Sequence, residues 1–310
     1  MGQKDLTEKN FLLYPDVFAD TLNALAYAGR EVVCEEKLFP APSESFYHAG
    51  QGKMADQFSD VSMFEMKDDS IRVQYIFENE VQVKARTILR KAGYEGALYR
   101  RQLESDETFP IVSLLLYWGL ASWNQPVSMK EFFQEADLDE NTWKYITNEK
   151  LHVYAMAWLP KQVRNRFRSD MRIVVDYLAE RQNYKPTAQK LVHPEALLLM
   201  LKALTNDDRY IEILTALTEE EKKGEITMCE LLDEYENRGM LNGIQEGLKK
   251  GMQDGLRKGI QEGMQQGELR LASLIEKLLQ SNRMEDLQMV VSNISNKKYQ
   301  NRLYEEFGIL

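Results

Sequence analysis

The stretch Asp60-Val-Ser-Met-Phe-Glu-Met-Lys-Asp-Asp-Ser-Ile-Arg-Val-Gln-Tyr-Ile-Phe-Glu-Asn-Glu80 has the pattern of a β-hairpin. Residues 60–66 are strand-like, and a polar, turn-like break follows them. The second half alternates in polarity, so that one face carries Ile71, Val73, Tyr75 and Phe77. We expect two antiparallel strands joined by a loop at residues 68–70, with Lys67 paired with Ile71.

This register would bring acidic side chains together at one end of the hairpin. It places Asp60 directly opposite Glu78, and such partners have Cβ atoms about 4.5–5.5 Å apart. Two carboxylates at that distance can share a divalent cation, and Glu80 points to the same face as Glu78 because side chains alternate along a strand. The arrangement is typical of a magnesium-dependent phosphodiesterase, in which the cation polarises the phosphate and activates water. Acidic residues on a solvated strand face are the alternative interpretation.

The segments around the hairpin predict an α/β protein. Residues 15–29 have the apolar spacing of a first helix, and residues 38–59, with two prolines and two glycines, predict a long surface loop. Residues 83–103 predict a basic helix. The apolar run at residues 110–118 predicts a buried central strand.

Helical patterns dominate after residue 126. Ser128-Met-Lys-Glu131 matches an N-terminal capping box. Residues 161–182, 194–204 and 208–221 have helical periodicity, and residues 268–310 predict one or two closing helices.

A ladder of glycines precedes those closing helices. The eight positions are Gly239, Gly243, Gly247, Gly251, Gly255, Gly259, Gly263 and Gly267. An apolar residue follows most of them, at Met240, Ile244, Leu248, Met252, Leu256, Ile260 and Met264. Each interior glycine costs a helix roughly 0.8–1 kcal/mol relative to alanine. We therefore expect a helix that needs a close partner, and a duplicated, weakly ordered spacer is the alternative.

Composition limits the classes of function. The formal net charge is −10 over 310 residues, which argues against bulk attraction to nucleic acid or anionic membranes. The two cysteines, Cys34 and Cys229, lie far apart in sequence, so we expect neither a disulfide framework nor a cysteine zinc site. The N-terminus lacks the pattern of a signal peptide, and the apolar run from residue 111 to 121 is too short to span a bilayer. These features predict a soluble, cytoplasmic protein that does not bind membranes.

Four segments have a distinctive order and spacing. They are Phe18-Ala-Asp-Thr-Leu-Asn-Ala-Leu25 with Gly29, Phe58-Ser-Asp-Val61, Ile76-Phe-Glu-Asn-Glu80, and Pro110-Ile-Val-Ser-Leu-Leu-Leu-Tyr-Trp-Gly119 with Trp123 and Pro126. Together they resemble the Rpn family of recombination-promoting nucleases, whose members are also called YhgA-like transposases and belong to the PD-(D/E)XK nuclease superfamily. The resemblance covers about residues 10–135, and runs of glycine at every fourth position also occur in this family.

The resemblance implies a catalytic site and a cofactor. It makes Asp60 the first ligand and Glu78 the second ligand of Mg²⁺ or Mn²⁺, and it gives Asp20 an assisting place. The third catalytic position is normally Lys or Gln in such proteins, and here it is Glu80. A glutamate there adds a like charge beside Glu78.

Three interpretations of that departure remain open. Glu80 could bind a second cation, or Gln82 or Lys84 could supply the missing group from nearby. Alternatively, the fold is kept and catalysis is lost.

DNA contact would need positive charge close to this site. The residues that cluster after the acidic strand are Lys84, Arg86, Arg90, Lys91, Arg100 and Arg101. On one helix they would contact phosphates. A second cluster would extend that surface and consists of Lys161, Arg164, Arg166, Arg168 and Arg172. A solvated helix face is the alternative for each cluster.

The resemblance implies a restriction-endonuclease-like mixed sheet flanked by helices. We expect this nuclease-like domain at residues 1–125, a helical region at 126–238, the glycine-ladder segment at 239–270, and C-terminal helices at 271–310. The expected function is metal-dependent DNA cleavage linked to recombination or mobile elements, by a homodimer or larger homo-oligomer. The alternatives are a catalytically inactive DNA-binding or scaffolding protein that self-associates through its C-terminal segment, and an interaction module in phage defence or host stress.

Overall fold

A computed structural model describes residues 3–42, 44–49, 53–58, 61–224 and 226–309. The chain forms two compact units, Met1–Glu234 and Tyr235–Leu310. The segments expected as a nuclease-like domain and a helical region lie in the first unit, except for residues 235–238, which belong to the second.

The first unit is a mixed α/β structure built on a five-stranded sheet in the order β1-β4-β5-β6-β7. A separate two-stranded sheet pairs β2 with β3. The strands are β1 (Leu38–Pro40), β2 (Glu44–Ala49), β3 (Lys53–Phe58), β4 (Val61–Lys67), β5 (Ser70–Glu80), β6 (Ile111–Tyr117) and β7 (Val153–Ala155). β5 pairs antiparallel with β4 and parallel with β6, which makes it the middle strand.

Helices cover the sheet and continue to the C-terminus. In the first unit they are α1 (Gln3–Leu12), α2 (Pro15–Leu25), α3 (Thr87–Gln102), α4 (Met129–Phe132), α5 (Glu140–Tyr145), α6 (Lys161–Arg164), α7 (Met171–Glu180), α8 (Pro194–Thr205) and α9 (Arg209–Ala216). The long helix α10 (Met228–Gln280) begins there, and α11 (Met284–Ser292) and α12 (Lys297–Glu306) follow it.

The hairpin turn differs from the predicted loop of residues 68–70. Lys67 pairs with Ser70 rather than with Ile71, so the loop has only two residues. Asp68 and Asp69 have φ angles of 51° and 62°. Positive φ at both central positions belongs to the tight hairpin turns whose twist matches that of the strands, and aspartate tolerates this conformation better than most residues.

A register shift then restores the predicted pairing along the rest of the hairpin. It lies between Glu65 and Met66, where β5 carries one extra residue. Beyond the shift Val61 pairs with Phe77, in the register that the sequence predicted. Asp60 lies outside the described residues, so its pairing with Glu78 stays a prediction.

Both faces of β5 are buried, and each face meets a different helix. On one face the Phe18 ring of α2 packs 4.3 Å, centroid to centroid, from the Phe77 ring. On the other face Ile88 of α3 packs with Leu115 and Tyr117 of β6. Full burial of such side chains contributes roughly 1.5–3 kcal/mol each. The alternation of β5 therefore fixes which helix its acidic residues meet.

Two predictions of strand content were incomplete. The expected loop at residues 38–59 contains β1 and the β2–β3 hairpin instead. Its prolines are compatible with strands at an edge, where β1 lies. The strand predicted at residues 110–118 is confirmed as β6, and β7 extends the sheet past residue 125.

The helical part of the first unit packs against its N-terminus. α1 contacts α8, while α2 contacts α6 and α7. The pattern predicted over residues 161–182 is broken into α6 and α7. The capping motif is confirmed, since the Ser128 side chain accepts a hydrogen bond from the Glu131 backbone N–H at 3.3 Å.

The second unit has a small core of its own. Leu274 and Leu278 of α10 pack with Val290 of α11 and Leu303 of α12, and all four side chains are buried. The glycine ladder is helical throughout, within α10. The expected closing helices are confirmed as the end of α10 with α11 and α12.

Candidate functional site

The candidate site lies at the carboxyl end of β5. Glu78 and Glu80 are 6% and 4% exposed and lie on the face that α3 covers, because they pair with Leu115 and Tyr117 of β6. A buried carboxylate is costly unless it is paired or bound to a cation. The strand therefore places two acidic groups where each needs a positive partner.

Glu80 has two such partners. Its Oε2 accepts from the Lys84 ammonium at 3.1 Å, and its Oε1 accepts from the Arg90 guanidinium. Lys84 lies in the short loop after β5, and Arg90 lies one turn into α3. Both oxygens of this carboxylate are therefore engaged by cationic side chains.

No metal-binding cluster is complete within the described part of the chain. There, no three or more histidine, cysteine or acidic side chains come together in a way that could hold a metal ion. The predicted pair needs Asp60, which those residues do not include. Glu78 is thus the one predicted metal ligand whose place the structure gives.

One of the predicted assisting residues, Asp20, is not brought to the acidic pair. Both carboxylate oxygens of Asp20 accept hydrogen bonds from the Arg168 and Ser169 backbone N–H groups. Its helix, α2, packs on the Phe77 face of β5, which is opposite the face of Glu78. Gln82 is exposed in the loop after β5.

Apart from Lys84 and Arg90, the first predicted basic cluster consists of one buried lysine and three exposed arginines. Lys91 is buried, and its ammonium binds Glu95 at 2.8 Å and Glu149 at 3.3 Å. Burial and a hydrogen bond with Glu95 raise the pKa of Glu149, although Lys91 works in the opposite direction. The residues that are largely exposed are Arg86, Arg100 and Arg101. Lys91 therefore links α3 to Glu149, which lies in the loop before β7, and its ammonium is not available to a ligand.

The second predicted basic cluster is also largely engaged in ion pairs. Arg164 is buried and binds Asp176, and it reaches Glu180 at 3.0 Å. Arg172 binds Asp176 as well. These two arginines join α6 to α7, so they form neither the predicted phosphate-binding surface nor a solvated helix face.

Sequence reasoning missed a polar junction between α2 and α8. The His193 Nε2 lies 2.9 Å from the Asp16 carboxylate, and the His193 ring stacks on Tyr14. Burial opposes ionisation of Asp16, but the hydrogen bond and charge of His193, with backbone N–H groups, hold the pKa of Asp16 below its ordinary value. A separation of 177 residues left no local signal for this pair.

The glycine ladder presents an open surface. At each ladder glycine, no heavy atom of the described chain beyond the helix's own adjacent backbone lies within 4 Å of where a Cβ would stand. The apolar residues that follow the glycines, from Met240 to Met264, are 56–70% exposed. These positions of α10 are therefore open to solvent within the described residues.

Comparisons with known proteins leave the family open. No family model matches the sequence, and neither does any curated protein or solved structure. Among the described residues, no helix is both long enough and apolar enough to cross a membrane.

Proposed function

We propose that this protein is a metal-dependent DNA endonuclease with a restriction-endonuclease-like fold, related to the Rpn nucleases. The observation that carries the proposal is the buried pair Glu78 and Glu80 at the end of a central strand, with Lys84 and Arg90 beside it. Buried acidic groups with adjacent cations concentrate at functional sites, where charge must be placed against a substrate.

Asp60 and Glu78 would hold Mg²⁺ or Mn²⁺ in this proposal. The bound cation would supply polarisation of the phosphate and acidification of water. The exposed residues Arg86, Arg100 and Arg101 would bind neighbouring phosphates and set the position of the duplex. The open glycine ladder would pair with another copy, so that two sites reach both strands in a recombination setting in the cytoplasm.

Plasmid nicking tests the proposal. Purified protein with Mg²⁺ or Mn²⁺ should convert supercoiled plasmid to nicked circles, and Asp60→Ala and Glu78→Ala should each reduce the rate at least 100-fold. Glu65→Gln is a matched control, because Glu65 is buried on the same hairpin and paired with Arg72 at 3.0 Å. Equal rates in all four proteins would show that the nicking comes from a contaminant.

A second candidate is a catalytically silent DNA-binding or scaffolding protein. The engagement of Glu80 by two cations favours it, because a carboxylate stands where a free lysine or glutamine is expected. In that case duplex binding and self-association would persist in Asp60→Ala at wild-type strength, and no metal-dependent nicking would be detected in either protein.

A further inference from the structure

We propose that Glu80 is a positioning residue and not a metal ligand, and that it holds Lys84 and Arg90 as a clamp for one phosphodiester group. This inference rests on the proposed function, because it assigns the part of that site which contacts substrate. It gives Glu78 and Glu80 different roles, the first as a metal ligand and the second as a positioning residue.

The exposure of the three side chains supports this division. Glu80 is 4% exposed, whereas the Lys84 and Arg90 side chains are 53% and 35% exposed. A ligand arriving from solvent therefore meets the cations before it meets the carboxylate. A metal ion bound at Glu80 would lie beside Lys84 and Arg90, whose positive charges would repel it.

The charge count of the clamp matches one phosphodiester. Lys84 and Arg90 carry two positive charges and Glu80 carries one negative charge, so these three side chains together carry one positive charge; Glu78 on the same face is assigned to the metal site and is counted with the cation there. A phosphodiester group carries one negative charge, so a bound phosphate would complete neutralisation. Arg90 offers a planar fork suited to phosphate oxygens, and Lys84 offers a compact point charge.

Lys91 on the same helix provides the contrast. It faces two carboxylates, Glu95 and Glu149, and its side chain is buried. No positive charge is left over there, so Lys91 should not contribute to DNA binding. It serves as an internal reference for the clamp.

Two measurements that need no cleavage test the clamp. The first is the salt dependence of binding to a fluorescently labelled 20-base-pair duplex in EDTA, measured by anisotropy. The slope of log K against log salt concentration is negative. Lys84→Met and Arg90→Met should each reduce its magnitude by about 0.9, the value for one lost phosphate contact. Lys91→Met, measured under conditions where circular dichroism shows the folded protein, should leave the slope unchanged. Unchanged slopes in both clamp variants would overturn the proposal.

The second measurement is Mn²⁺ binding by calorimetry. Glu80→Gln leaves Lys84 and Arg90 without their carboxylate near Glu78, so it should weaken Mn²⁺ binding, but less than Glu78→Gln, which should weaken it by at least about tenfold. A loss in Glu80→Gln equal to that in Glu78→Gln would make Glu80 a ligand and refute its positioning role. If the wild-type protein binds no Mn²⁺, the nuclease proposal fails, and the salt slopes still decide the clamp.

Circular dichroism and a charge-conserving variant guard against misfolding. Lys84→Arg keeps a cation beside Glu80 and should retain the wild-type salt slope, whereas Lys84→Glu leaves two carboxylates side by side and should weaken duplex binding. A Lys84→Arg protein with wild-type circular dichroism that loses as much slope as Lys84→Met would contradict the clamp.

Discussion

Replacing Gly247, Gly251 and Gly255 with alanine distinguishes a paired ladder from an isolated spacer. Each added Cβ meets open space within the described chain, so no clash opposes the change in a single copy. Helix propensity then stabilises α10 by roughly 0.8–1 kcal/mol per site, or about 2.5–3 kcal/mol in all. The isolated helix should become more stable.

The effect reverses if the glycines face a second copy. An extra methyl group in a close-packed contact costs typically about 1–3 kcal/mol. One such alanine in each of two chains would cost about 2–6 kcal/mol, which weakens dimerisation by roughly 30-fold to 10⁴-fold. The gain in helix propensity is common to monomer and dimer, so it does not offset this loss.

Light scattering coupled to size exclusion measures the mass, and circular dichroism measures the helix. We expect the alanine variant to run as a monomer at concentrations where the wild-type protein is dimeric or larger, with helicity equal or higher. A control with alanine at Gln245, Gln253 and Gln261 changes another row of the same helix and should keep the wild-type mass. An unchanged mass in the glycine variant would refute a glycine-lined interface.

Three further variants test contacts within each unit separately. Because the pKa of Asp16 is lowered in the folded protein, its contribution to stability is present at neutral pH and is lost as the pH falls through that pKa. In Asp16→Asn, the free energy of unfolding measured in urea should therefore fall less between about pH 5 and pH 2 than it does in the wild-type protein. Lys91→Met should destabilise the first unit by about 3–5 kcal/mol by leaving Glu95 and Glu149 unpaired, measured by chemical unfolding. Leu278→Ala should cost about 2–5 kcal/mol in the second unit, seen as a lower melting transition of its helices, while the first unit is unaffected.

Local patterns predicted the elements that are decided locally. The alternation from Ile71 to Phe77 gave β5, and the apolar run after Pro110 gave β6. The turn was missed by one residue, because a sequence of Asp-Asp-Ser fits either a two-residue or a three-residue loop. The shift at Glu65 and Met66 absorbed that difference.

Contacts between distant segments had no such signal. β7 is only three residues long and is held by pairing with β6, so alternation could not reveal it. In the sequence, Lys91 is indistinguishable from the other basic residues of α3. Its burial depends on an ion pair with Glu149, which lies 58 residues away. Charge type is visible in a sequence, whereas the partner that neutralises the charge is a property of the tertiary structure.

The same distinction governs the candidate site. A glutamate at position 80 puts a negative charge where the predicted nuclease pattern expects lysine or glutamine. In the folded chain Glu80 contacts two cations, so Glu80, Lys84 and Arg90 together carry one positive charge. A lysine at that position would instead add a third cation beside Lys84 and Arg90, and its like charge would oppose burial. Glu80 is therefore compatible with a phosphate-binding site only because Lys84 and Arg90 are also present, and the three residues should be judged as one unit.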